Sequence, residues 1–266
     1  GIPFIRYNLN KTYNEQALSE MTPFREITYT ENLTTSGSGI NLKVGIIAMP
    51  LKSIRVGLSV ASPTSFGLED EYSTSVNYVY NTGDGADIIG NAQSPEGRFE
   101  YTFVTPWKTT GSFAYLLNTG NIKGFLSAEV DYLNYSSSYF NLNSDSSNPG
   151  DTQLQNDLNT QITEQLTSGI NARLGAEIAM DIYRIRAGYS LRGAPYYGDE
   201  GRFYNGFSLG GGLRFDKFFF DVAYRTSSNQ QGYLPYVTID QENPQLVQFD
   251  TTTSYITTTF GFKFGA

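Results

Sequence analysis

The side chains able to do chemistry fall at alternate positions of short apolar segments, and nearly all of them are cations or carboxylates. Lys43, Arg55, Lys123, Arg173, Arg184, Arg186, Arg192, Arg214, Arg225 and Lys263 stand against Glu129, Asp131, Glu177 and Asp221. This set is more basic than acidic, although the whole chain carries a formal net charge of -8. Its chemistry is recognition rather than bond making, because a guanidinium fork holds a carboxylate through two parallel hydrogen bonds. We take Arg55, Lys123, Arg173, Arg186, Arg214 and Arg225 as candidate ligand-contacting cations, with Glu129, Asp131, Glu177 and Asp221 as their charge partners. The competing role for each is structural, a cation holding neighbouring strands through a carboxylate or carbonyl.

The chain has no histidine and no cysteine. That removes Ser-His-Asp and Cys-His nucleophilic catalysis, thiolate and imidazole metal sites, haem ligation by those residues and any disulfide. No catalytic residue, metal or cofactor is expected, and the chain is read as a non-enzyme. Asn81, Asp84 and Asp87 around Gly83 and Gly85, and Asp145 with Asp151, lack the ligand pattern of a calcium loop and read as solvated turns. Gly210-Gly211-Gly212 is followed by no helix start with Lys-Ser/Thr, so it is no phosphate cradle; within a strand it permits a bend or a close approach. A net acidic chain is also a poor partner for nucleic acid.

The elements that carry these side chains alternate apolar and polar residues. Ile122, Gly124, Leu126, Ala128, Val130 and Tyr132 oppose Lys123, Ser127, Glu129 and Asp131. Ile170 to Ile178 and Tyr183 to Leu191 repeat the pattern on either side of a tight turn at Asp181-Ile182, and Phe203 to Phe215 and Phe218 to Tyr224 repeat it around Asp216-Lys217. Ile40 to Ala48, Ile54 to Val60, Phe113 to Leu117 and Ser254 to Phe264 complete the count, which predicts roughly ten strands. Turns near 51, 119, 181 and 216 are tight, whereas the stretches around 81–96, 139–166, 193–202 and 228–248 are long and polar. One helical pattern occurs, with Leu154, Leu158, Ile162 and Leu166 at spacing four between Asp151 and Leu166. Its stripe, Leu154, Leu158 and Ile162, would either offer an apolar groove or pack the loop 139–166 down.

Of 266 residues, 15% are aromatic and only 17% charged, and the longest greasy run, Val44 to Leu51, is far below the ~20 residues of a membrane helix. Strands of about 9–11 residues cross a bilayer with only every second residue apolar, so a transmembrane β-barrel fits where a helical span does not. The alternation of short turns with long connections has the asymmetry of outer-membrane barrels. A soluble sandwich would place many Lys and Glu on the polar faces, which here mix charge with Gly, Ser, Asn and Thr. The expected fold is therefore all-β, an antiparallel transmembrane barrel forming a single domain over residues 1–266.

Several strings carry a resemblance: Ser36-Gly-Ser-Gly-Ile-Asn-Leu-Lys-Val-Gly, Ile54-Arg-Val-Gly-Leu-Ser-Val-Ala-Ser-Pro-Thr, Thr105-Pro-Trp, Ser127-Ala-Glu-Val-Asp-Tyr-Leu-Asn-Tyr-Ser, Leu174-Gly-Ala-Glu and Ile185-Arg-Ala-Gly-Tyr. In their order they resemble the FadL/TodX family of outer-membrane transporters for long-chain fatty acids and aromatic hydrocarbons, in its Bacteroidetes-like form. The resemblance implies a barrel of about fourteen strands with an N-terminal hatch, into which this sequence enters after the hatch and first strands. It implies passive passage of a hydrophobic or amphipathic small molecule, contact with membrane lipid and an outer-membrane location, with no covalent chemistry. The alternative expectation is a barrel used as an anchor or adaptor, whose outer loops dock a partner in a cell-envelope or surface-secretion complex.

Overall fold

In the computed structural model the described residues are 1–18, 23–81, 83, 85–120, 122–142, 149–199, 201–233 and 247–264. Asp84 and Asp145, named above as turn residues, lie outside them. The first strands are β1 (Phe4–Gln16), β2 (Phe24–Ile40), β3 (Lys43–Leu51), β4 (Ile54–Ala61), β5 (Ser65–Asn81), β6 (Asp87–Gln93) and β7 (Gly97–Val104). Then follow β8 (Lys108–Thr119), β9 (Ile122–Asn134), β10 (Tyr139–Asn141), the helix α1 (Pro149–Gln165) and β11 (Ser168–Met180). The chain continues through β12 (Tyr183–Gly193), β13 (Phe203–Arg214), β14 (Phe218–Tyr233) and β15 (Val247–Phe262). The protein is all-β and antiparallel, and no helix among the described residues is long and apolar enough to cross a membrane.

The strands divide into two sheets within two compact units, residues 1–42, 63–105 and 138–160 in one and residues 43–62, 106–137 and 161–266 in the other. The smaller sheet has the order β1-β2-β5-β7-β10, with β6 also on β5. Its strands are the ones alternation does not announce, since in β1 and β2 the face that carries Ile5, Leu9, Ile27 and Leu33 is interrupted by Lys11, Glu15 and Glu31 and the other face is polar. They raise the count of about ten to fifteen, and what reads in sequence as a long connection over 81–96 contains the end of β5 and all of β6. Leu68 and Leu142 are buried here, beside the rings of Phe99, Tyr101, Phe103 and Phe140. α1 covers the edge strand β10 through side-chain amides: Asn159 both accepts from Phe140 N at 2.7 Å and donates to Phe140 O at 2.9 Å, and Gln155 accepts from Leu142 N at 2.9 Å. Those amides stand in for the missing neighbour strand.

The larger sheet has nine strands in the order β3-β4-β8-β9-β11-β12-β13-β14-β15, with every neighbour antiparallel; the chain leaves it between β4 and β8 and between β9 and β11. Neither sheet closes on itself among the described residues, and β3 and β15 are the free edges of this one. The β11-β12 hairpin turns through Asp181 at φ 49°, a left-handed conformation that a short Asp side chain tolerates. Pairing runs without slip from Ile122↔Met180 to Asn134↔Ser168, so the apolar residues of neighbouring strands share one face and the charged residues share the other.

The apolar face lacks a partner within the sheet. Among the described residues only Leu68, Leu142 and Ala194 are buried apolar side chains, whereas Leu126, Val130, Ile170, Leu174, Ile178 and Ile185 are each about half exposed. From Ile122 to Tyr132, from Ile170 to Met180 and from Tyr183 to Leu191, every residue on this face is apolar. Rings gather beside the Asp216-Lys217 turn, where Phe215, Phe218, Phe260, Phe262 and Phe264 contact one another in series at centroid distances of 4.4–6.4 Å.

Candidate functional site: the charged face of the larger sheet

Two ion networks lie on the polar face. In the first, Asp131 on β9 is fully buried and accepts from Thr110 Oγ1 at 2.7 Å, Lys108 Nζ at 2.8 Å and Arg173 Nη1 at 2.8 Å. Arg173, on β11 opposite Glu129, also donates to that carboxylate. Strand pairing explains the grouping, since Thr110 is directly opposite Asp131 and Arg173 one pleat away.

In the second, Arg186 on β12 donates to Glu177 on β11 and, through Nη1 at 2.7 Å, to Asp221 on β14. Asp221 also accepts from Arg214 Nη2 at 2.8 Å. Reaching from β12 to β14 means crossing β13, a span of two strand spacings or about 9.6 Å. The glycine triplet makes that crossing passable: Arg186 lies opposite Gly210, Asp221 lies opposite Gly212, and a Cβ at 212 would coincide with the Asp221 carboxylate. The close approach anticipated from the triplet is thus the passage of an arginine over its strand. Gly212→Ala is expected to cost about 1–3 kcal/mol by forcing the carboxylate off its arginines. Gly211→Ala, where a Cβ meets nothing within 4 Å, should leave the denaturant midpoint unchanged, so the pair of midpoints separates the ion network from glycine's backbone freedom.

The structure places the candidate cations in different roles. Arg173, Arg186 and Arg214 join the networks with Glu129, Asp131, Glu177 and Asp221. Arg55 caps its own turn, donating to the carbonyls of Leu51, Lys52 and Ile54 at 3.0–3.3 Å. Lys123 is exposed beside Gly120, Ala179, Asp181 and Arg184 at the tight-turn end. Arg225 is exposed on the polar face of β14 and makes no ion pair among the described residues. On α1, Leu158 and Ile162 are half-buried while Leu154 is 47% exposed, so the face turned inward carries Gln155 and Asn159 beside Leu158 and Ile162, and the stripe turns out at Leu154.

Lys108 and Thr110 complete the first network and were not anticipated, because Lys108 precedes the alternating part of β8 and a lone threonine gives no signal in sequence. Away from this face, Tyr101 in the smaller sheet is held above the ordinary phenol range, first by burial and then by the Asp70 carboxylate, to which its hydroxyl donates at 3.4 Å. The apolar face has its own depression of about 570 Å³, where Ala128, Ala176 and Ala187 lie between Phe113, Leu174 and Phe207. Among the described residues no charged side chain borders it. Among the described residues no three His, Cys, Asp or Glu side chains are grouped to hold a metal ion.

No protein-family model matches the chain, and no curated protein matches it.

Proposed function

We propose that the larger sheet is part of the wall of an outer-membrane β-barrel that lets hydrophobic or amphipathic small molecules, of the long-chain fatty acid kind, pass by diffusion. The observation that carries this reading is the unpartnered apolar face. Ten residue steps separate Ile122 from Tyr132, about 33 Å along a strand, or about 25 Å in height at a tilt near 40°, the depth of the apolar band of such barrels. A water-soluble monomer rarely exposes a continuous apolar patch beyond a few hundred Å². A bilayer covers that face without cost, and the charged face then fronts an aqueous interior in which paired arginines hold the wall and unpaired ones meet the cargo. The order of sequence strings resembling FadL/TodX transporters supports the same reading. On it, the apolar depression faces lipid, and the cargo path runs on the charged side.

The test is folding into lipid vesicles, followed by entry of a fluorescent fatty acid. Protein that floats with the vesicles, migrates differently boiled and unboiled, and speeds fatty acid entry over empty vesicles is the expected result. A protein that stays in the aqueous fraction overturns the reading.

A further inference from the structure

Beside the first ion network, the polar face holds a hollow that the charge pairing leaves positive. Its floor is the cross-strand row Ser190, Gly206 and Ser227 on β12, β13 and β14. Arg192 with Tyr204 forms one wall, Arg225 the opposite wall, and Arg173 with Asn171 the end toward β11. The hollow holds about 150 Å³, room for about five waters. A Cβ at 206 would press into Ser190 Oγ and lie 3.6 Å from Ser227 Cβ, so the floor is open because residue 206 is glycine.

The charges do not cancel here as they do within the two ion networks. Arg173 is neutralised by Asp131 and Glu129. Arg192 and Arg225 make no ion pair among the described residues, and both are exposed. Arg192 lies over the Tyr204 ring at 5.7 Å, a cation-π contact that engages the ring face and leaves the guanidinium N–H groups to donate. The hydroxyls of Ser190 and Ser227 supply further donors between the two cations.

We propose that this hollow binds a dianionic tetrahedral oxyanion, a phosphate monoester or free phosphate, in preference to a monocarboxylate. Two unpaired guanidinium groups on opposite walls match two negative charges, and a tetrahedral group presents oxygens to both walls and to the serine floor at once, which a planar carboxylate does not. The site shares its unpaired arginines with the cargo path of the transport reading, but binding at it does not depend on transport. It requires only that this face be wet.

The experiment measures binding of hexadecyl phosphate, palmitate and inorganic phosphate to the folded chain in a neutral detergent. Hexadecyl phosphate is expected to bind at least tenfold more tightly than palmitate at pH 8, with the preference shrinking at pH 5, where the monoester loses its second charge. The double variant Arg192→Gln with Arg225→Gln should lose at least tenfold in hexadecyl phosphate affinity. Gly206→Ala, which fills the floor and keeps every charge, should weaken it as well. Competition by inorganic phosphate would assign the site to the free anion, and its failure to compete would assign it to the amphiphile. Equal binding of palmitate and hexadecyl phosphate, or unchanged affinity in a double variant with native heat mobility, overturns the proposal. A chain that binds the phosphate but does not enter vesicles would sink the transport reading and leave this site standing.

Discussion

Replacing Asp131 with alanine is expected to destabilise the chain by about 3–5 kcal/mol, the cost of removing one partner from a buried charge network. Asp131 is the one fully buried charged side chain among the described residues, and it accepts from Thr110, Lys108 and Arg173, one hydroxyl and two cations. Its removal leaves Lys108 without a carboxylate and Arg173 with Glu129 alone. Because these groups sit on β8, β9 and β11, the loss unties three adjacent strands together. The check is a urea midpoint for folded protein in mild detergent, read by heat-dependent gel mobility, with Glu129→Ala as the comparison. Glu129 is 40% exposed and among the described residues pairs with Arg173 alone, so its loss belongs in the range below about 1 kcal/mol that solvent-screened pairs occupy. Similar small costs for both variants would mean that water reaches Asp131, and the network would not be what joins these strands.

The larger sheet was legible in the sequence because one side of each strand had to be apolar. Wherever that requirement holds, as from Ile122 to Tyr132 or Tyr183 to Leu191, period two marks both the strand and the face of every residue, and Glu129, Asp131, Arg173, Arg186 and Asp221 fall together as their parity predicts. The smaller sheet was not legible for the converse reason. β1 and β2 pair over thirteen residues from Phe4↔Ser38 to Gln16↔Glu26, yet neither face is consistently apolar, so backbone pairing and Thr or Asn side-chain bonds such as Asn10 to Asn32 hold them without leaving a hydropathy pattern. Within the site, parity gave the face but not the partner. Arg55 shares the face of Arg186 and spends its donors on the turn beside it, a choice set by its position two residues after the turn. Arg186 reaches a carboxylate two strands away, and the glycines that permit this were visible in sequence without anything to say what would cross them.

The second large effect separates a bilayer from water as the medium over the apolar face. Leu174 lies near the middle of β11 and is 58% exposed, whereas Tyr183, at the tight-turn end of β12, is 55% exposed. If water covers both, Leu174→Arg and Tyr183→Arg are surface substitutions of equal exposure, and each should change stability by no more than about 0.5 kcal/mol. If hydrocarbon covers the face, the two diverge with depth: an arginine near the bilayer midplane costs about 2–4 kcal/mol, and one near the interface, where its long side chain reaches the head groups, costs about 0–1 kcal/mol. The predicted outcome is the divergent one, with Leu174→Arg carrying the large penalty in vesicles. Neither substitution touches the ion networks, because parity turns both side chains away from them, so a change in stability reports the surrounding medium. Equal and small effects would return the apolar face to water and leave its exposure to be covered by another protein surface.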